Sequence, residues 1–425
     1  MATKKLKIGN VPNLRFREFE GEWEMKKLED VCVTIGDGLH GTPEYSQHTG
    51  YYFINGNNLV GGQVVISDST KEVGYNDWLK NRKKITDNTL FLSINGTIGN
   101  VARFNNENVM LGKSVAYLDF KINSNFYYQL LKSNKIQNHF YSELTGTTIK
   151  NLSLKTIRET EIAYPSILEQ EKIASFLSLI DNRIHTQNKI ILELESLIKG
   201  LIEDLFAQRL RFKDDKGSPF PEWKVERLGE IYSFKVTNSF SRENLNYDNG
   251  TIKNIHYGDI HTKFKTLFDI TKESVPFINP EMPTNKISED NYCKEGDLIL
   301  ADASEDLNDV GKSIELVNLN NERLLSGLHT ILARPGLKML SIGFGGYLFK
   351  SNFIRTKIQK EAQGSKVLSI STSRLSNIII SFPSIREQTL ITNFLSSIDE
   401  KIDVEKTLLQ QLENQKKYLL SNLFA

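Results

Sequence analysis

Two tripeptides, Gly112-Lys-Ser114 and Gly311-Lys-Ser313, have the residue types that cradle a nucleotide phosphate. A phosphate loop also needs a glycine five residues ahead of the Lys-adjacent one, and Glu107 and Asp306 stand there instead. Both tripeptides therefore read as loop turns. An amino-methyltransferase would carry an Asn-Pro-Pro-Tyr or Asp-Pro-Pro-Tyr segment, and none occurs. Gly343-Phe-Gly-Gly346 is rich in glycine, but the matching residues 125–128 of the repeat described below contain none, which argues against a cofactor loop. Asp302, Glu305, Asp306 and Asp309 offer oxygens to a hard cation; acidic residues are also common turn formers, and a turn is the expectation. His256 and His261 lack a third ligand nearby, so no metal site and no catalytic residue is expected.

What remains is a supply of side chains that can read or hold a nucleic acid. One half of the chain has His40, Thr42, Asn55, Asn57, Asn58, Asn95, Lys113, Thr147, Thr148 and Lys150 in segments rich in glycine and asparagine. The other has Lys235, Asn238, Arg242, His256, Lys263, Lys265, Lys312, Ser365 and Lys366. Asn pairs with adenine edges through two hydrogen bonds, Arg and Lys pair with guanine, and Lys elsewhere meets phosphate.

These residues need a scaffold. Strand-like runs are 31–35, 51–54, 63–66, 89–94 and 116–120, followed by a helix near 126–140. A second set falls at 252–255, 297–301, 314–317 and 330–333, with a helix after Phe344. Gly36-Asp-Gly-Leu-His-Gly41, Asn55-Gly-Asn-Asn58 and Asn95-Gly-Thr-Ile-Gly99 punctuate the first set as loops.

The two sets belong to an internal duplication. Residues 126–207 align without a gap onto 344–425 at an offset of 218, with 29 identities in 82 positions. Upstream, Trp23-Glu-Met-Lys-Lys-Leu28 matches Trp223-Lys-Val-Glu-Arg-Leu228, and Leu14-Arg-Phe-Arg17 matches Leu210-Arg-Phe-Lys213. Between the matched ends, 32–125 and 232–343 share almost nothing, which suggests a common scaffold carrying two different recognition surfaces.

After Pro165 and Pro383 the sequence turns to heptads. One seam runs through Leu177, Ile180, Ile184, Ile191, Leu194, Ile198 and Leu201; the other runs through Leu395, Ile398, Ile402, Leu409, Leu412 and Leu419. Only Gln187, Glu405 and Lys416 interrupt them with polar groups. Ser166 with Glu169, and Ser384 with Glu387, have the spacing of a capping box. Helices of some 40 residues would reach about 60 Å, and they most simply pair with each other. The fold expected is α+β: mixed α/β domains at 1–164 and 208–382, long helices at 165–207 and 383–425, and a pseudo-twofold internal repeat.

Composition excludes other classes. In 425 residues, 39% are hydrophobic and 25% charged, and no apolar run approaches the ~18 residues that span a bilayer. The basic N-terminus has no apolar stretch behind it, so no secretory signal is expected. Two cysteines, Cys32 and Cys293, are too few for a disulfide framework and suit a reducing cytoplasm. Net charge is +1, and mildly basic blocks alternate with acidic ones: residues 1–160 carry 20 basic against 16 acidic side chains, and 161–207 carry 4 against 8. Such a balance permits phosphate binding without demanding it.

The ordered motifs, twice over, resemble the specificity (S) subunits of type I restriction–modification systems. The resemblance spans the chain and rests on the duplicated layout, the two Trp segments and Gly36-Asp-Gly-Leu-His-Gly-Thr-Pro43. It rests also on Gly146-Thr-Thr-Ile-Lys-Asn-Leu152, Pro165-Ser-Ile-Leu-Glu-Gln170 and Pro383-Ser-Ile-Arg-Glu-Gln388. It implies two target recognition domains, each reading half of a split site in double-stranded DNA, and two long helices packed as an antiparallel coiled coil. That coiled coil would set the gap between half-sites and dock two methyltransferase (M) subunits, with restriction (R) subunits joining through them. S-adenosylmethionine, ATP and Mg would sit on those partners, and this chain would be a non-catalytic, cytoplasmic subunit without membrane contact. The second copy departs from the first where Gly364-Ser-Lys-Val-Leu-Ser369 replaces Gly146-Thr-Thr-Ile-Lys-Asn151. Two rival readings are a self-contained DNA methyltransferase or nuclease, which the missing tetrapeptide disfavours, and a coiled-coil scaffold that binds proteins alone.

Overall fold

The computed structural model describes residues 9–148 and 150–425. They fall into two compact units: the first joins 9–189 to Thr407–Ala425, and the second is Ile190–Lys406. The long helices span Ile167–Phe206 and Ile385–Asn422, so each gives one half to either unit.

In the first unit a six-stranded sheet has the order Cys32–Asp37, Val115–Phe120, Thr89–Ser93, Val101–Arg103, Gln63–Val64, Leu59–Val60. Beside it a four-stranded sheet runs Val109–Leu111, Tyr52–Ile54, Glu72–Val73, Tyr45–Ser46. In the second unit the orders are Tyr232–Lys235, Thr330–Pro335, Leu298–Ala301, Ser313–Asn318, Leu267–Asp269 and Leu324–Ser326, Lys253–Ile255, Phe277–Ile278, Leu245–Asn246. Strand for strand the two units agree, including which neighbours are parallel. Leu59–Val60 lacks a counterpart in the second unit, and the short pair Ala303–Ser304 with Leu368–Ser369 has only the isolated bridge Asn95–Asn151 at its place in the first. The segments that share almost no sequence thus build one topology.

The register shows how little sequence identity this requires. Leu90 pairs with Leu118 on one side and Arg103 on the other; Leu298 pairs with Ala333 and Glu315 in the same way. Thr89–Ser93 is buried at all five positions because both faces of its sheet are covered, Leu90 and Leu92 entering one core and Phe91 another, so its centre reads as a continuous apolar run. The strands without an expectation from sequence, such as Val101–Arg103, Val109–Leu111 and Leu267–Asp269, are three residues long, too short for a period to declare itself.

The single helix expected over 126–140 is two helices, Ser124–Leu131 and Asn134–Ser142. Ser133 separates them in extended conformation, and its hydroxyl accepts from the Ile136 N–H at 3.5 Å as the cap of the second. At the long helices the capping boxes form only in part. Glu169 N–H donates to Ser166 Oγ at 3.3 Å, but the buried Glu169 carboxylate takes the Arg15 guanidinium, with both contacts at 2.8 Å. Glu387 receives Arg211 in the same way, at 3.1 and 2.8 Å. The Leu-Arg-Phe lead-ins thereby lock onto the helix starts, and Phe16 and Phe212 stack edge-on against Phe176 and Phe394.

Inside each unit the two helices run antiparallel: Asp181 pairs with Lys416 in the first, and Glu195 with Lys406 in the second. The seam residues expected from the heptads are buried or half-buried throughout, and Gln187 and Glu405 are buried at matching positions of the repeat. Each helix begins on the core of its own copy and ends in the core of the other. Phe424 packs at a tilt against Phe126 with centroids 5.7 Å apart, and Phe206 against Phe344 at 5.5 Å. Trp23 shares a core with Leu419 and Leu423, and Trp223 shares one with Ile202 and Leu205.

Gly343-Phe-Gly-Gly346 has a structural use. Gly343 and Gly346 N–H groups donate to the two oxygens of buried Glu315, each at 2.6 Å. A Cβ at Gly345 would lie 2.9 Å from Tyr232 Oη, and one at Gly346 would lie 2.8 Å from Leu267 Cδ2. Burial pushes the Glu315 carboxyl up to about 7, against the pull of the two N–H groups. Arg103 holds the same register in the first unit and lies over the Tyr128 ring at 3.5 Å, Tyr128 being the residue that matches Gly346.

Candidate nucleic-acid interface

The loops that carry the candidate readers gather at one end of each sheet pair. In the first unit, Leu39 bridges to Gly112, and Gly112 N–H donates to Ile54 O at 2.8 Å, which brings 38–42, 55–58 and 112–114 together. Ser114 Oγ is the hub: it accepts from Gly56 N–H at 2.9 Å and donates to Asn55 Oδ1 at 3.0 Å. Asn95 bridges to Asn151, and Thr145 does too, so the segment holding Thr147, Thr148 and Lys150 closes over the same end. Ile149 lies outside the described residues. His40, Thr42, Asn57, Lys113, Thr147, Thr148 and Lys150 are exposed there. His40 Nε2 lies 2.8 Å from Asp37 Oδ2. Asn58 is different: its amide caps its own turn, accepting from Asn55 N–H at 2.9 Å and donating to Val65 O at 3.0 Å.

The same backbone positions in the second unit hold other chemistry. Asp302 N–H donates to His329 O, and Ile370 N–H to Asp302 O, as Ile94 does with Ser114 and Leu152 in the first unit. Buried Ile94 thus corresponds to Asp302, and Ser114 to His329. Asp302 Oδ1 lies 3.4 Å from His329 Nδ1, and burial pushes its carboxyl up. Tyr257 packs edge-on against His329 at 5.4 Å and beside His256 at 4.6 Å. Arg242 makes two bonds to buried Asp259, at 3.0 and 3.1 Å, and Lys263 adds a third contact at 3.0 Å. Burial and the nearby guanidinium hold the His256 imidazole below its ordinary value.

Asn238 donates to Asn254 Oδ1 at 2.7 Å, and Lys312 Nζ to His261 O at 2.6 Å, both bordering this cluster. Ser365 and Lys366 are exposed on the segment that pairs with Ala303–Ser304. Two residues stand apart. Lys235 pairs with Asp290 at 2.6 Å, and Lys265 turns to Asp403 on the second long helix. The acidic run behaves as a turn: Asp306 Oδ1 accepts from Asn308 N–H at 2.8 Å, and Asp309 meets Lys312 at 3.5 Å. The two Gly-Lys-Ser tripeptides sit at unrelated places. One precedes the strand Val115–Phe120 and the other runs into Ser313–Asn318, whose counterpart is Val101–Arg103.

A family profile described as the type I restriction modification DNA specificity domain matches this chain twice, over residues 20–196 and 221–414. The chain belongs to that family. As a type I specificity subunit it carries two DNA specificity domains, one per unit, and the match breaks at 197–220, where one copy passes to the next. A putative type I restriction enzyme specificity subunit (MjaX) of Methanocaldococcus jannaschii is 25% identical over 437 aligned positions, covering 99% of this chain and 95% of the relative. A second from that organism, MjaVIII, is 29% identical over 310 positions, covering 70% of this chain and 69% of the relative. Among solved structures, an S subunit from M. genitalium superposes with a TM-score of 0.55 at 18% identity, over 98% of this chain and 99% of that one. A chain from a type I system solved for its complex assembly and conformational transition gives 0.57 at 15% identity, over 94% of this chain and 96% of that one. At such identities the likeness extends to the fold. Among the described residues, no helix is long and apolar enough to cross a membrane.

Sequence reasoning did not single out Tyr257 or His329, and it weighed Asp302 only as a cation ligand or a turn former. No spacing links them in the chain; they meet because Lys253–Ile255 and Leu324–Ser326 are parallel neighbours that release their following residues at the same end.

Proposed function

We propose that each unit reads one half of a bipartite site in double-stranded DNA with its clustered loops, and that the helix pair sets the unread gap between the halves. The observation that carries this reading is one strand order built twice, with unlike side chains at matching loop positions: Asn55, Ile94 and Ser114 against His256, Asp302 and His329. Amides and guanidinium groups distinguish purine edges in the major groove, whereas a carboxylate accepts from the cytosine amino group. The loop set of the first unit is His40, Thr42, Asn55, Asn57, Asn95, Lys113, Thr147, Thr148 and Lys150. That of the second is Asn238, Arg242, His256, Lys263, Lys312, Ser365 and Lys366, with Asp302, Tyr257 and His329 added. Lys265 and Lys235 are left out, because each is held by an acidic partner away from the cluster.

In this reading the chain itself does no chemistry. The exposed faces of the helices, which carry Leu179, Leu192, Leu197 and Val404, dock two methyltransferase subunits, and restriction subunits join through these. S-adenosylmethionine, ATP and Mg belong to the partners, and the assembly acts in the cytoplasm. Adding one heptad to both helices lengthens the pair by ~10 Å, or about three base pairs at 3.4 Å each. Methylome sequencing of a strain carrying that variant should return the same half-sites with a longer gap. An unchanged gap would remove the helices from the measurement.

A further inference from the structure

The two segments that differ between the copies treat their cations in opposite ways. Residues 32–125 hold eight Lys and Arg against eight Asp and Glu, and none of those cations forms an ion pair among the described residues. Residues 232–343 hold 12 against 16, and ten of the 12 are in ion pairs. An exposed pair adds little stability, but a cation already facing a carboxylate has less charge to offer a phosphate.

The free charge is concentrated in one place. Lys80 lies in the last turn of the helix Tyr75–Asn81, and Arg82, Lys83 and Lys84 follow it, between strands Glu72–Val73 and Thr89–Ser93. Trp78 anchors that helix by donating to Val109 O at 3.2 Å, and Arg82 lies over the Trp78 ring at 4.9 Å. Asp77 accepts from Glu44 N–H at 3.2 Å, tying the strip to the segment that carries His40 and Thr42. The corresponding segment of the second unit, 279–297, has Lys286 and Lys294 against Glu281, Glu289, Asp290, Glu295 and Asp297.

We propose that the first unit supplies the sequence-independent hold on DNA through this strip against the phosphate backbone, while the second adds affinity only through its loops on a matched half-site. This rests on the reading that both units bind duplex. The test titrates the complete complex with its methyltransferase subunits onto four duplexes: the whole site, the first half-site alone, the second half-site alone and a scrambled sequence. Salt is varied from about 50 to 200 mM. Changing Lys80, Arg82, Lys83 and Lys84 to Gln should make the plot of log K against log salt shallower by up to about three to four units, at about 0.9 per lost phosphate contact. The methylated motif should not change. Changing Lys294 and Arg323 to Gln should leave the slope in place. A wild-type slope in the strip variant, an altered motif, or an equal loss in the second-unit variant would overturn the proposal. If the wild-type complex did not prefer the whole site to a scrambled duplex, the two-domain reading itself would fall; a retained preference with an unmoved slope would defeat only the division of labour.

Discussion

Glu315 shows how a single buried carboxylate can leave a pH signature. Its folded value of about 7 lies above the ordinary 4.5, so the folded state binds a proton more readily than the unfolded one. The stability this contributes is complete below about pH 4.5 and is lost as the pH rises through 7, on the order of 3 kcal/mol in all. Glu315→Gln removes the titration. Thermal unfolding of both proteins from pH 5 to 8 should show the wild type losing stability relative to the variant, and parallel curves would refute the assignment. Arg15–Glu169 and Arg211–Glu387 are a second residue-scale device. Arg211→Met leaves Glu387, whose side chain is fully buried, without a partner and should cost about 3–5 kcal/mol in denaturant unfolding. Adding Glu387→Leu to that variant should recover most of the loss.

At the scale of elements, the crossed helix ends make each unit depend on the other copy's helix. Phe424→Ala should cost about 3–5 kcal/mol and loosen the first unit, while Phe206→Ala does the same to the second. Hydrogen exchange resolved along the chain reads this directly: protection should fall around Phe126 in one variant and around Phe344 in the other. The long helices were legible in the sequence because their period persists for five heptads. The break at Ser133 was hidden because apolar spacing continues across it, and only the Ser-Asn pair hints at a cap. The short strands left no period at all. The common topology of the variable segments could not be read, since a sheet core accepts Leu118 or Ala333 and Arg103 or Glu315 at one register position once the neighbours change with it. The loop candidates were legible by residue type, but their hubs were not: Ser114 with Asn55, and His329 with Tyr257, are partners across parallel strands rather than along the chain.

For the whole molecule, duplication gives two equivalent platforms whose ends have diverged. The loop ends differ in kind, small amides and a hydroxyl in one and a carboxylate, imidazoles and a tyrosine ring in the other, and it is this difference that would make a bipartite site asymmetric. The most direct measurement exchanges residues 32–125 for the corresponding segment of another specificity subunit and sequences the methylome of the strain. One half of the recognised site should change to that of the donor, while the other half and the gap stay as they were. A change in both halves, or in neither, would contradict the account.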